Sequence, residues 1–205
     1  MSKTLIHINI GLVVGLLFTI VKIIYSKLTG QTRRINKKLG TQLIESGFLD
    51  FADISDRNEL EFEIKNTFNV YDERNFKLAH IDSEELAEFS FDFFLPSLNK
   101  MLKKRNFNLK VSKAEDYEIT NCIYINESKV ELYTNLEIEN GTFWDRGAIN
   151  FFKRINEFMI SEQLQEKFYL LYGGNDLFVF LLTDEQYRII KHRYFDNENE
   201  QPYLP

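Results

Sequence analysis

The sequence is poor in the residues that most often build reactive sites. Of its 205 residues one is cysteine, three are histidine and three are proline. A lone Cys122 excludes an intramolecular disulfide and suits a reducing compartment. His7, His80 and His192 are scattered, and no His or Cys pair has the spacing of a metal site. The prolines, at 96, 202 and 205, leave no proline-rich linker to divide the chain. There is no P-loop, no GxGxxG after a strand, no HExxH and no GxSxG. Nothing calls for a cofactor or a metal. Carboxylates are plentiful, but no motif bounds a catalytic pair of them.

Negative charge is missing from the start of the chain. Residues 1–44 hold seven Lys/Arg and no Asp or Glu, whereas the remaining 161 hold 18 Lys/Arg and 31 Asp/Glu, a net of −13. The overall charge of −6 therefore conceals a basic collar joined to a strongly acidic domain. Such a domain repels phosphate backbones, which argues against nucleic acid as a partner. A cationic partner fits better, although acidity also serves solubility alone.

What is present first is apolar. No charged residue falls between Thr4 and Val21, and Ile23, Ile24 and Tyr25 extend the run past Lys22. About 20 helical residues cross a bilayer core, and Lys22 lies close enough to one end to snorkel. Thr4–Tyr25 reads as a transmembrane helix. A cleavable signal peptide fits less well, because Lys22-Ile23-Ile24-Tyr25 makes a poor cleavage site. A core helix does not explain the basic cluster that follows. Lys22, Lys27, Arg33, Arg34, Lys37 and Lys38 outnumber Lys3 and the amino terminus, which places the C-terminal side in the cytoplasm. The same cluster favours an anionic leaflet. The expected placement is a single-pass protein of the inner (cytoplasmic) membrane.

The division expected is an anchor over 1–25, a basic juxtamembrane linker over 26–39 that is either irregular or a helical extension of the anchor, an acidic domain over 40–195 and a polar, frayed tail over 196–205. Leu39–Phe48 reads as a short helix ended by Gly47, and Ile54–Phe68 as a helix with Leu60, Ile64 and Phe68 on one face. A longer helix starts at a cap on Asp82 or Ser83. Its apolar positions are Leu86, Phe89, Phe93, Phe94, Leu98, Met101 and Leu102, and Pro96 should kink or divide it near Phe93–Leu95. Glu84 and Glu85 in the first turn and Lys103, Lys104 and Arg105 in the last match the helix dipole. At this spacing the Phe-rich stripe is core packing before it is a ligand pocket.

Strands are predicted over Phe107–Val111, Tyr117–Ile125 and Lys129–Glu139, the last two joined by a turn at Asn126–Lys129. Alternation in the last puts Glu131, Glu137 and Glu139 on an outer acidic face. Asn140-Gly141 breaks the pattern. Thr142-Phe143-Trp144-Asp145 resembles a capping box for a helix with Ala148, Ile149, Phe152, Ile155 and Met159 buried, ending near Gln163. Phe168–Tyr172 and Leu177–Leu182 are short apolar runs separated by Gly173-Gly174-Asn175-Asp176. The glycines lead into a strand rather than a helix, and Asp176 would repel an anion, so this is a hairpin turn and not a phosphate cradle. Nearly continuous apolarity predicts strands covered on both faces. Thr183-Asp184-Glu185-Gln186 is a capping box for a helix through about His192. The fold class expected is α+β, an antiparallel sheet packed by helices, preceded by one N-terminal transmembrane helix.

The stretch from ENGTFWDRGAINFFKRINEF through EKFYLLYGGNDLFVFLLTDEQYRII resembles small bacterial immunity proteins that neutralise polymorphic or contact-delivered toxins. The resemblance covers roughly residues 117–193 and lies in organisation: an acidic α+β domain, Phe-Trp-Asp at a helix start, an aromatic strand, a Gly-Asn-Asp turn and a Thr-capped helix. It implies a membrane-associated interaction protein that masks a cationic toxin. The contact residues offered are Glu131, Glu137, Glu139, Asp145 and Asp176 for charge, with Trp144, Tyr172 and Asn175 beside them. The alternative is a membrane-tethered enzyme or small-ligand sensor with its pocket between the Phe-rich helix and the sheet. A third reading pairs membrane helices through Gly11 and Gly15, which have GxxxG spacing.

Overall fold

The computed structural model describes residues 29–205. Its helices and strands, in chain order, are α1 (29–45), α2 (Ile54–Thr67), β1 (Leu78–His80), α3 (Ser83–Ala87), α4 (Leu95–Lys103) and β2 (Val111–Lys113). There follow α5 (Tyr117–Thr120), β3 (Cys122–Ile125), β4 (Ser128–Glu131), α6 (Asn135–Glu139), α7 (Phe143–Ser161), β5 (Glu166–Leu171), β6 (Phe178–Thr183) and α8 (Asp184–Arg193). The fold is α+β with two three-stranded antiparallel sheets, ordered β1–β6–β5 and β2–β3–β4. Among the described residues no helix is long and apolar enough to cross a membrane. The anchor expected over 1–25 lies outside them.

The two apolar runs near the C-terminus organise the molecule. β5 and β6 pair from Glu166↔Thr183 to Leu171↔Phe178, and β1 lies along the other side of β6. Alternate side chains leave opposite faces of a strand. Phe168, Leu170, Val179 and Leu181 enter one core, and Tyr169, Leu171, Phe180 and Leu182 enter another. Both faces are covered, as continuous apolarity predicts.

On one face lie α1, α2 and α8, contributing Leu39, Leu43, Leu60, Ile64 and Ile190. Residues 29–45 form one helix, so over 29–39 the linker is helical, the second of its two expected forms, and runs on into the short helix expected after it. Gly47 (φ +81°) ends the turn that follows. Burial of Leu39 and Leu43 against α2 and the sheet gives that helix its tertiary support. The Thr183–Gln186 capping box at the start of α8 forms as read from sequence.

On the other face lie α3, α4, α7 and the second sheet. The helix expected from Asp82 to Arg105 is in two pieces, and the break comes earlier than Pro96. Phe89 takes φ 61°, a 3₁₀ turn covers Phe91–Phe93, and α4 then starts with Pro96 in its first turn. There the missing N–H has no intrahelical partner to lose. Phe89, Phe91 and Phe94 reach the core, while Phe93 points outward.

The middle of the chain departs most from expectation. Phe107 and Leu109 are buried in a non-strand segment before β2, so the predicted strand over Phe107–Val111 is displaced to Val111–Lys113. Tyr117–Thr120 is a helical turn, which leaves Ile119 exposed, and only Cys122–Ile125 is strand. The β3–β4 hairpin forms, turned by Asn126 (φ 46°) and Glu127 (φ 70°). Its second strand ends at Glu131. Thr134 and Glu137 close a reciprocal capping box that starts α6, and this local bonding overrides the alternating pattern through Glu139. The capping box expected at Thr142 does not form, although α7 starts there and ends at Ser161, near the limit expected.

The tail is not frayed. Leu170 and Tyr203 exchange backbone hydrogen bonds of 2.8 Å in each direction, so the chain end covers the outer edge of β5. Glu200 Oε2 accepts from the Tyr71 hydroxyl at 2.6 Å and the Tyr172 hydroxyl at 2.7 Å.

Candidate functional site

The eight residues offered from sequence separate into two groups. Asp145, at the start of α7, lies against the β5–β6 turn: a Cβ built on Gly173 would stand 3.1 Å from Asp145 Oδ1. Tyr172 (φ 63°) and Gly174 (φ +60°) shape that turn, and Gly174–Asp176 make a single 3₁₀ turn with Asn175 and Asp176 exposed. His80 Nε2 donates to the Asn175 carbonyl oxygen at 2.9 Å, and the Ile81 N–H donates to the Leu177 carbonyl at 2.8 Å. The tip is thus pinned from the end of β1.

Helix α3 completes this surface, and sequence reasoning missed it as a site. It packs on both α7 and the 174–176 turn. The two helices meet at Gly147, where a Cβ would make ordinary contacts of 3.6 Å with Leu86 and Ala87 of α3. Asp82 caps α3 by accepting from the Glu84 and Glu85 amides. Glu84 and Glu85 were legible only as charges suited to a helix start, Glu88 at the C-cap of α3 was not singled out, and the packing of α3 beside α7 and the turn needs the fold. Among the described residues, none of Asp82, Glu84, Glu85, Glu88, Asp145 and Asp176 makes an ion pair.

Glu131, Glu137 and Glu139 do not share a strand face. Glu131 ends β4, whereas Glu137 and Glu139 lie on α6. Glu137 accepts from the Thr134 amide at 2.8 Å and faces Arg146 Nε at 3.4 Å, so its charge is engaged locally. Trp144 is half-buried against Phe143, and its indole Nε1 is buried without a hydrogen-bond partner. Tyr172 is tied by its hydroxyl to Glu200 and packs edge-on to Phe178.

A second feature is a buried polar cluster at the opening of β5. Lys77 Nζ donates to Glu166 Oε1 and, at 3.1 Å, to Gln186 Oε1. Arg105 forks onto the same carboxylate, with Nη2 3.0 Å from Oε1, and its guanidinium stacks over the Phe51 ring at 3.9 Å. Burial pushes the Glu166 carboxyl up, but the Arg105 hydrogen bond and the charges of Lys77 and Arg105 hold it below the usual carboxylate value. Burial pulls the Lys77 ammonium down, against the pull of Glu166. An open cleft of about 410 Å³ lies over the cluster, lined also by Asp50, Lys104 and Asn106. Every side chain of the cluster is committed to another. Cys122 is buried, with Sγ 3.2 Å from the Thr120 carbonyl. Among the described residues no group of three or more His, Cys, Asp or Glu is placed to hold a metal.

No family model matches the chain, and no curated protein or solved structure does so either.

Proposed function

We propose that this chain is a membrane-anchored interaction protein of the immunity type, which presents an acidic surface to the cytoplasm and masks a cationic protein toxin. The observation that carries the reading is that six carboxylates outside any ion pair sit on three elements in contact, α3 with its cap, the start of α7 and the β5–β6 turn. Unneutralised charge on touching rigid elements raises the local potential, speeds encounter with an oppositely charged partner and sets its orientation. Pinning of the turn by His80 reduces the ordering that binding would otherwise require. The apolar run over residues 4–25 supplies the anchor, and the basic residues after it keep the domain on the cytoplasmic side.

The test is protection. The full chain is co-expressed with a toxin encoded beside its gene, and growth is compared with that of a strain carrying Glu84→Lys, Glu85→Lys and Asp145→Lys together. Growth with the native chain and arrest with the charge-reversed one support the reading. Equal growth of the two, with the variant folded and present at the membrane, rejects the surface. A second reading, a small-ligand sensor or enzyme, is favoured by the cleft over Lys77. It requires a ligand to displace partners that Lys77 and Arg105 already hold.

A further inference from the structure

The acidic surface and the basic first half of α1 lie on opposite faces of the central sheet. The acidic surface belongs to elements packed on one face, α3 and α7. On the other face the first half of α1 turns Arg33, Arg34, Lys37 and Lys38 outward, all exposed and none in an ion pair among the described residues. Their helical spacing spreads them around the outer side of α1, while Asn36, Leu39 and Leu43 face inward.

Large apolar side chains flank these cations on both sides. Phe62 of α2, 68 % exposed, lines a shallow cleft with Arg33, Arg34 and Lys37. Phe195, 72 % exposed, lines another with Ile35 and Lys38. This layer also carries carboxylates: Glu61 is paired with Lys65 at 3.0 Å, Glu59 with Arg74 at 3.2 Å, Glu63 accepts from Asn69, Asp196 borders the second cleft, and Glu45, Asp56 and Glu185 lie on α1, α2 and α8. Exposed aromatics beside unpaired Lys and Arg have no role in this domain's core. They match the headgroup boundary of an anionic bilayer, where rings enter about 5–10 Å and cations meet lipid phosphates or carboxylates.

We infer that this face lies on the anionic leaflet, with the outer side of α1 against the headgroups and Phe62 and Phe195 inserted on either side. The folded domain then makes its own contact with the bilayer, besides any made by residues 1–28. It lies flat rather than hanging from a tether, and the sheet holds the acidic surface away from the repelling lipid charge. The inference rests on the membrane placement proposed above and adds the orientation. It also gives α1 a reason to be a continuous helix packed on α2 and α8: a flexible linker would leave the domain free to turn its acidic side toward the leaflet.

The experiment uses the full chain carrying Trp144→Phe, with Phe62→Trp, Phe195→Trp or Phe93→Trp added singly. Phe93 is as exposed as the other two but belongs to the opposite layer. Each protein is incorporated into phosphatidylcholine vesicles, with or without phosphatidylserine, that contain brominated lipid as a quencher. Emission of the Phe62→Trp and Phe195→Trp proteins should fall with phosphatidylserine present, and that of the Phe93→Trp protein should not. Changing Arg33, Arg34, Lys37 and Lys38 to Gln should restore the lost emission. Retention on vesicles with no more quenching at 62 and 195 than at 93 overturns the orientation and leaves the anchor standing. Release from vesicles by alkaline wash removes the anchor, and quenching before that wash still decides the face.

Discussion

Asp145 and Gly173 meet where the start of α7 crosses the β5–β6 turn, close enough that a methyl group on Gly173 would crowd the carboxylate at 3.1 Å. Two segments 28 positions apart in the chain thereby become one surface. Gly173 has φ −164°, extended backbone open to any residue, whereas the neighbouring Gly174 has φ +60°. Gly173→Ala is therefore expected to move the Asp145 side chain and change stability by no more than about 0.5 kcal/mol. Gly174→Ala should cost about 1 kcal/mol through backbone strain. Urea unfolding of the two variants separates the effects.

The Glu166 carboxylate holds two cations, and neutralising it leaves both buried without a counter-charge. Glu166→Gln is expected to destabilise the domain by about 3–5 kcal/mol. Lys77→Met should cost less, because Arg105 still neutralises Glu166 and the methionine fills apolar space beside Phe48 and Phe51. Denaturant midpoints for the two variants give the order directly.

The same carboxylate makes the fold acid-sensitive. Glu166 titrates below its ordinary value of 4.5 in the folded protein, so the folded state binds that proton less tightly than the unfolded one. Its contribution is present in full above the unfolded value and is lost as pH falls through the folded one. Asp184, held down by the Lys167 and Tyr169 hydrogen bonds, acts in the same direction. Stability should fall as pH is lowered below about 4.5. Glu166→Gln should flatten that slope, which thermal unfolding at a series of pH values will show.

Glu200 anchors the chain end to Tyr71 and Tyr172. Burial of Tyr71 and its hydrogen bond to Glu200 push the phenol well above its ordinary value, so it remains a donor at any working pH. Glu200→Ala should cost about 1–3 kcal/mol by leaving half-buried hydroxyls unpaired. Deleting 196–205 should go further and open the β5 edge that Tyr203 covers. An uncovered edge pairs with other chains, so the truncated protein should associate in a concentration-dependent way that sedimentation can detect.

The parts of the fold set by local chemistry could be read in advance. The β5–β6 hairpin follows from two apolar runs around a glycine pair, and the α8 start follows from Thr183 and Gln186. Residues 129–139 misled because Val130, Leu132, Leu136 and Ile138 keep a period of two while Thr134 and Glu137 form a capping box inside it. Leu136 and Ile138 are exposed as a result. The docked tail left no periodic trace, since its contacts are backbone pairing to Leu170 and one carboxylate meeting a tyrosine 129 positions away. At the acidic surface, Asp145 and Asp176 were visible at their turns. Glu84 and Glu85 were seen only as dipole partners of a helix start and Glu88 not at all, because their place in the surface depends on α3 packing against α7.

The most direct measurement is the association rate constant of the full chain with the toxin encoded beside its gene, followed across a range of salt concentrations. An acidic surface that steers a cationic partner predicts a rate that falls steeply as salt rises. Reversing Glu84, Glu85 and Asp145 should lower the rate and flatten the salt dependence, with a smaller effect on dissociation. A rate indifferent to salt and to these three charges would contradict the account, as would the absence of any binding.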